Sequence, residues 1–175
     1  GRYATTSSEN VYIGSCAGRH NTTGSYKVSI GRNAGYSLYS GSENTYIGKG
    51  SGYHLTGIGN TFLGYNSGHG TTNVTSTSNT FIGSHTGYSI TDGIENVYIG
   101  KNAGYTNPSG DYNTYIGCSA GELANDGLHN TYIGYCTGKN ATGGYNTFLG
   151  SETGLSCTSG YKNTYLGRKA GTAST

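Results

Sequence analysis

Tryptophan and methionine are absent, proline occurs once, and only 10% of the 175 residues are charged. The whole apolar class reaches 32%, against about 45–50% apolar and about 25% charged residues in ordinary soluble domains. A chain so poor in large aliphatic side chains cannot fill a thick central core. It can fill a thin one, a single side chain wide, repeated along an axis. Ten basic and eight acidic residues leave a net charge of +2 and no run of either sign, which argues against a nucleic-acid surface or a polybasic membrane patch. No apolar stretch approaches the ~18 residues of a membrane span, and no basic leader runs into an apolar segment, so any signal peptide lies outside this sequence. The four cysteines (Cys16, Cys118, Cys136, Cys157) form no CxxC pair, which argues against a zinc site. No cofactor motif is present, and none is expected to bind.

Glycine is abundant, with 33 residues, and so is tyrosine, with 18. Their placement is periodic. A motif glycine recurs at Gly14, Gly31, Gly48, Gly64, Gly83, Gly100, Gly117, Gly134, Gly150 and Gly167, at spacings of 17, 17, 16, 19, 17, 17, 17, 16 and 17 residues. A second glycine follows four residues after each, from Gly18 to Gly171, and a third stands three before the motif Asn in most copies, as at Gly41, Gly57 and Gly93. The consensus is Asn, Thr or Val, Tyr or Phe, Ile or Leu, Gly, two variable residues, a small residue and Gly, then a polar loop. Residues 1–175 therefore read as one array of ten copies.

The residues before the first glycine are branched or aromatic, the types that favour strands. Three glycines per copy would cripple a helix. Each copy is expected to be a short strand, a glycine bend, a second short extended piece and a turn whose glycine is left-handed, as in the "SG", "TG" and "DG" pairs before Asn. Stacked in register, such copies make an all-β parallel solenoid or β-roll, with coils about 4.8 Å apart.

Side chains alternate across a strand, so Thr131 and Ile133 share one face and Tyr132 takes the other. The small column (Ala17, Ala34, Ser51 and their equivalents) and the Ile/Leu column suit the interior. The expected coil core is thus Ile13, Ile30, Ile47, Leu63, Ile82, Ile99, Ile116, Ile133, Leu149 and Leu166. The aromatic column is then expected to point outward, at Tyr12, Tyr46, Phe62, Phe81, Tyr98, Tyr115, Tyr132, Phe148 and Tyr165, with Ser29 as its one break. A rod-long aromatic stripe is more than a monomer ordinarily exposes. It is expected to be buried between chains of a parallel homotrimer, with an exposed ladder for a flat ligand as the alternative. The Asn column, from Asn10 to Asn163, is expected to bond turn backbone rather than to do chemistry. Arg32, Lys49, Lys101 and Arg168, each following a first glycine, are expected to be solvated.

Catalytic candidates are few. Asp92 and Glu95 are close in sequence, and Asp111 and Asp126 lie in loops of neighbouring coils, but solvated turns account for all four. Five scattered histidines lack HxxxH spacing, so neither catalysis nor metal binding is expected. Cys118 and Cys136 lie in adjacent coils and form the one candidate disulfide, provided the glycine bend turns them together. Cys157 replaces the apolar loop residue of Leu38, Leu55 and Ile90, and is expected to be a buried thiol. Sequons at Asn21, Asn73 and Asn140 make these loop positions candidates for glycosylation.

Tandem copies such as "ENVYIGSCAG" and "KNTYLGRKAG" resemble the repeats of bacteriophage tail fibres and bacterial surface fibre proteins, which often precede an endosialidase-type intramolecular chaperone domain. They are also similar, at a shorter repeat, to the heads of trimeric autotransporter adhesins. The resemblance covers the whole chain and implies a trimeric, elongated, extracellular β-structure. The expected role is a non-catalytic stalk or head of a fibre, whose partners are its own copies and a cell-surface glycan or protein receptor. An ice- or crystal-binding solenoid is the alternative, carried by the Thr column from Thr45 to Thr164, but a Thr that shares the Ile face should point inward. A glycan-binding or glycan-cleaving tailspike is the third reading. Gly1 falls in the phase of a second glycine, so the array is expected to continue in a longer protein or to stack into a filament.

Overall fold

The computed structural model describes residues 6–37, 39–71, 74–125 and 127–172. Each repeat gives one three-residue strand: β1 Val11–Ile13, β2 Val28–Ile30, β3 Thr45–Ile47, β4 Thr61–Leu63, β5 Thr80–Ile82, β6 Val97–Ile99, β7 Thr114–Ile116, β8 Thr131–Ile133, β9 Thr147–Leu149 and β10 Thr164–Leu166. They form one parallel sheet in chain order. The protein is an all-β solenoid, as the repeat implies. So short a strand has no stability alone. Here each strand from β2 to β9 is held from both sides, as at β6: Val97 N–H donates to the Asn113 carbonyl at 2.8 Å, and Gly100 N–H donates to the Ile82 carbonyl at 2.8 Å. Register aligns like with like, as in Thr114 opposite Thr131, Tyr115 opposite Tyr132 and Ile116 opposite Ile133. The short copies keep it too, with Phe62 opposite Tyr46.

The second extended piece does not form. Residues after the first glycine make a tight turn, closed by bonds such as Ala103 N–H to the Gly100 carbonyl at 3.3 Å, and Gly104 N–H then reaches the Ala120 carbonyl of the next coil at 3.0 Å. The turn passes through a left-handed residue two after the first glycine, for example Asn102 at φ 58°. Asparagine accepts this conformation better than most side chains. The first glycine itself lies near φ 130°, as at Gly100, a region closed to other residues. The third glycine was expected to be left-handed, and is not. It is required by close approach: a Cβ on Gly57 would meet the Ser76 carbonyl oxygen at 1.6 Å. The left-handed residue of that loop is instead the one before Asn, such as Glu43 at φ 58° or Tyr112 at φ 58°.

The two faces of the strand are the reverse of the sequence expectation. Tyr46, Phe62, Phe81, Tyr98, Tyr115, Tyr132 and Phe148 are fully buried within the single chain. Tyr12 and Tyr165, in the first and last strands, are half-buried. The aromatic column is thus the coil core and not an inter-chain contact. The Ile/Leu column assigned to the core points outward instead: Ile13, Leu63, Leu149 and Leu166 are exposed, and Ile30, Ile47, Ile82, Ile99, Ile116 and Ile133 are half-buried. The cause is the width of the coil. The inner side chain must cross from the strand to the far turn, and a ring reaches where an isoleucine would not. The second glycine is the seat of that ring: a Cβ on Gly104 would lie 2.5 Å from the Tyr98 ring, and one on Gly138 would lie 2.6 Å from that of Tyr132. Rings from Tyr46 to Tyr165 follow one another at centroid distances of 4.7 to 5.4 Å. That matches the strand spacing of about 4.8 Å, so the backbone ladder and the ring stack share one repeat. The small column remains inside, with Ala34, Ala103 and Ala120 fully buried.

Candidate functional face

With the rings inside, the outer surface of the sheet carries two ranks. The first is Val11, Val28, Thr45, Thr61, Thr80, Val97, Thr114, Thr131, Thr147 and Thr164; the second is the Ile/Leu column. No position in either rank is charged. Among the apolar members of the two ranks, exposure is greatest at Leu166, 73%, and at Ile13, 56%. Arg32, Lys49, Lys101 and Arg168 are exposed just past the strands. At the strand entry, the rings of Tyr112, His129 and Tyr145 stack at 4.7 and 4.9 Å.

A second ring ladder was not anticipated from the sequence. Tyr36, Tyr53, His69, Tyr88 and Tyr105 each follow a second glycine, and their half-buried rings stack at 4.7, 5.0, 5.1 and 5.1 Å. The readable signal is a ring at this position in five consecutive copies. Partial burial lowers the His54 pKa, with the adjacent His69 adding to it. His85 is lowered first by burial, then by Lys101 and His69. Both imidazoles are held toward their neutral form. On the buried phenols the effect has the opposite sign: desolvation raises the Tyr115 pKa well above that of a free phenol.

The Asn column is structural. Asn96 Oδ1 accepts the Asn113 N–H at 2.9 Å, and its Nδ2 donates to the Gly110 carbonyl at 2.6 Å. Asn113, Asn130 and Asn146 repeat the pattern. Each amide therefore ties its own coil to the next by two bonds. Asn96→Ala leaves a buried donor and a buried acceptor without partners, at about 1–3 kcal/mol each. Chemical denaturation should show a loss of about 2–6 kcal/mol on that basis. Asn96→Asp should recover only the acceptor half.

Among the described residues, no group of three or more His, Cys, Asp or Glu side chains is placed to hold a metal ion. Asp111 accepts the Ile94 N–H at 2.8 Å, and Asp126 lies outside the described residues. Asp92 and Glu95 are exposed. The candidate Cys118–Cys136 bridge does not form: both thiols are free. Their backbones do adjoin, with Cys136 N–H donating to the Cys118 carbonyl at 2.9 Å. They occupy different turn positions, and Cys136 is the left-handed residue, at φ 51°. Cys157 is a buried thiol of the core, in the loop column that holds Leu55 and Ile90 in earlier coils; Leu38 lies outside the described residues. Of the three sequons, Asn140 is half-buried and Asn73 lies outside the described residues. Asn21 is fully buried, which overturns it as a glycosylation site in the folded chain. An open cavity of about 490 Å³ is lined by Leu123, Tyr135, Cys136, Lys139, Asn140, Glu152 and Leu155. Lys139 at its wall pairs with Glu122 at 3.2 Å.

No helix is long and apolar enough to cross a membrane among the described residues. No protein family, curated protein or solved structure matches the chain.

Proposed function

We propose that the chain is a non-catalytic structural and adhesive segment of an extracellular fibre, a stalk or head assembled from parallel copies of the rod. The observation that carries this reading is the uncharged outer face of the sheet, which runs unbroken from β1 to β10. Three residues by ten strands make a patch on the order of 450 Å² at ordinary strand dimensions. That is within the range of the largest patch on a typical soluble monomer, and such patches are often functional. The homotrimer therefore closes through the Thr/Val and Ile/Leu ranks and not through the rings. A cell-surface glycan or protein receptor is the external partner of such a fibre.

A second reading gains from the same face. The in-register threonines Thr45, Thr61, Thr80, Thr114, Thr131, Thr147 and Thr164 point outward with the Ile/Leu rank. The objection to an ice- or crystal-binding solenoid, an inward threonine, is thereby removed. One comparison separates the two. Wild type and Ile99→Lys/Ile116→Lys/Ile133→Lys are measured by analytical ultracentrifugation and by thermal hysteresis. The fibre reading requires a wild-type oligomer, a folded monomeric variant and no hysteresis. A wild-type monomer with hysteresis that the lysines abolish would replace it.

A further inference from the structure

The second coil breaks the pattern twice. Lys27 stands where other coils have Asn, and Ser29 stands where they have a ring. Ser29 leaves the interior of this coil without its ring, and the Lys27 side chain is fully buried. Its Nζ lies 2.5 Å from Asn21 Oδ1. A carbonyl bond adds about 1.2 Å, so the amide carbon is within about 3.7 Å of the amine. Asn21 is also fully buried. Its Nδ2 donates to the Tyr12 hydroxyl and to the Gly24 carbonyl.

We propose that Lys27 and Asn21 form an intramolecular isopeptide bond, a covalent staple across the first loop of the solenoid. The neutral Lys27 amine adds to Asn21 Cγ, and the carbonyl electron pair moves onto Oδ1. When that pair returns, the Cγ–Nδ2 bond breaks and Nδ2 leaves as ammonia. One proton passes from Nζ to the departing nitrogen. The Tyr12 hydroxyl, already bonded to Nδ2, is placed to relay it. No oxidant or reductant is needed, because an amide and an amine become an amide and ammonia.

The surroundings favour the reactive forms. Burial lowers the Lys27 pKa to about 8, so an appreciable fraction of the amine is neutral near that pH. Burial raises the Tyr12 pKa to about 12, against the hydrogen bond from Asn21, and so keeps the phenol protonated as a donor. The chain supplies its own control. Asn107 occupies the same loop column, and its Nδ2 reaches the Tyr98 hydroxyl at 3.0 Å, but its Oδ1 accepts the Gly110 N–H at 2.9 Å. Asn107 has a phenol and no amine, and it should stay unmodified.

The test is the intact mass of the denatured full chain, with tandem mass spectrometry of a digest. Wild type should weigh one ammonia less than its sequence and yield a branched peptide joining Lys27 to Asn21. Lys27→Arg and Asn21→Ala should each restore the full mass, and Tyr12→Phe should slow the loss. Conversion should be faster above the amine pKa than below it. An ammonia loss that persists in Lys27→Arg would be asparagine closing on its own backbone, and would overturn the proposal. So would wild type of full mass with both side chains intact after prolonged incubation above that pKa.

Discussion

Tyr98→Asp/Tyr115→Asp/Tyr132→Asp is expected to abolish the folded coil at every protein concentration. These rings are fully buried inside one chain, so their loss acts on folding before it acts on any assembly. Three carboxylates at the spacing of one coil would lie in a dry interior with no cationic partner. Uncompensated buried charge is strongly destabilising. A single Tyr115→Ala should already cost about 3–5 kcal/mol, as truncation of a large core ring does. Circular dichroism and urea unfolding at two protein concentrations provide the check. A triple variant that keeps its far-ultraviolet signal and merely dissociates would return the rings to an inter-chain role.

The second large effect is expected at the first glycine. Gly117 sits at φ 137°, and a Cβ there would stand 2.3 Å from the Gly134 carbonyl oxygen. Gly117→Ala therefore meets two penalties, a backbone region closed to side chains and a collision with the backbone of the next coil. Neither can relax without parting two rungs of the sheet. Gly167 isolates the first penalty. Its φ is 109°, and a Cβ there would meet nothing within 4 Å. Gly167→Ala should cost about 1–3 kcal/mol, the usual range for such strain. Gly117→Ala should cost clearly more and loosen hydrogen-exchange protection in the coils on both sides. Equal losses at the two sites would remove the collision from the account.

The period, the strands, the parallel register and the role of Asn were legible in the sequence, because each follows from backbone demands repeated in every copy. The direction of the strand was not. Alternation separates Tyr132 from Thr131 and Ile133 but cannot say which side is inside. The deciding fact is the distance from strand to far turn, a tertiary quantity. A trace of it does exist in the sequence: every ring of the column is followed six residues later by a glycine, as Tyr98 is by Gly104 and Tyr132 by Gly138. Glycine there marks the place where a ring needs room. The third glycine was misread for a related reason, since local turn chemistry was credited for what the neighbouring coil imposes. Ser29 was visible as the break in the ring column, but only the fold shows that the Lys27 amine occupies an interior without its ring.

The amide ladder also gives the rod a weak joint. From Asn60 to Asn163 each backbone N–H of the column finds the side-chain oxygen of the coil before it. Lys27 receives its bond from Asn10 but has no oxygen to offer Asn44. In a one-dimensional stack, where each unit is stabilised only by its neighbours, that missing link acts as a boundary. Opening that begins at the first coil can run as far as β2 and stop there, while the run from β3 to β10 holds. The run β1–β2 and the run β3–β10 are thus expected to open as separate blocks, and a covalent link between Asn21 and Lys27 would fasten the shorter one.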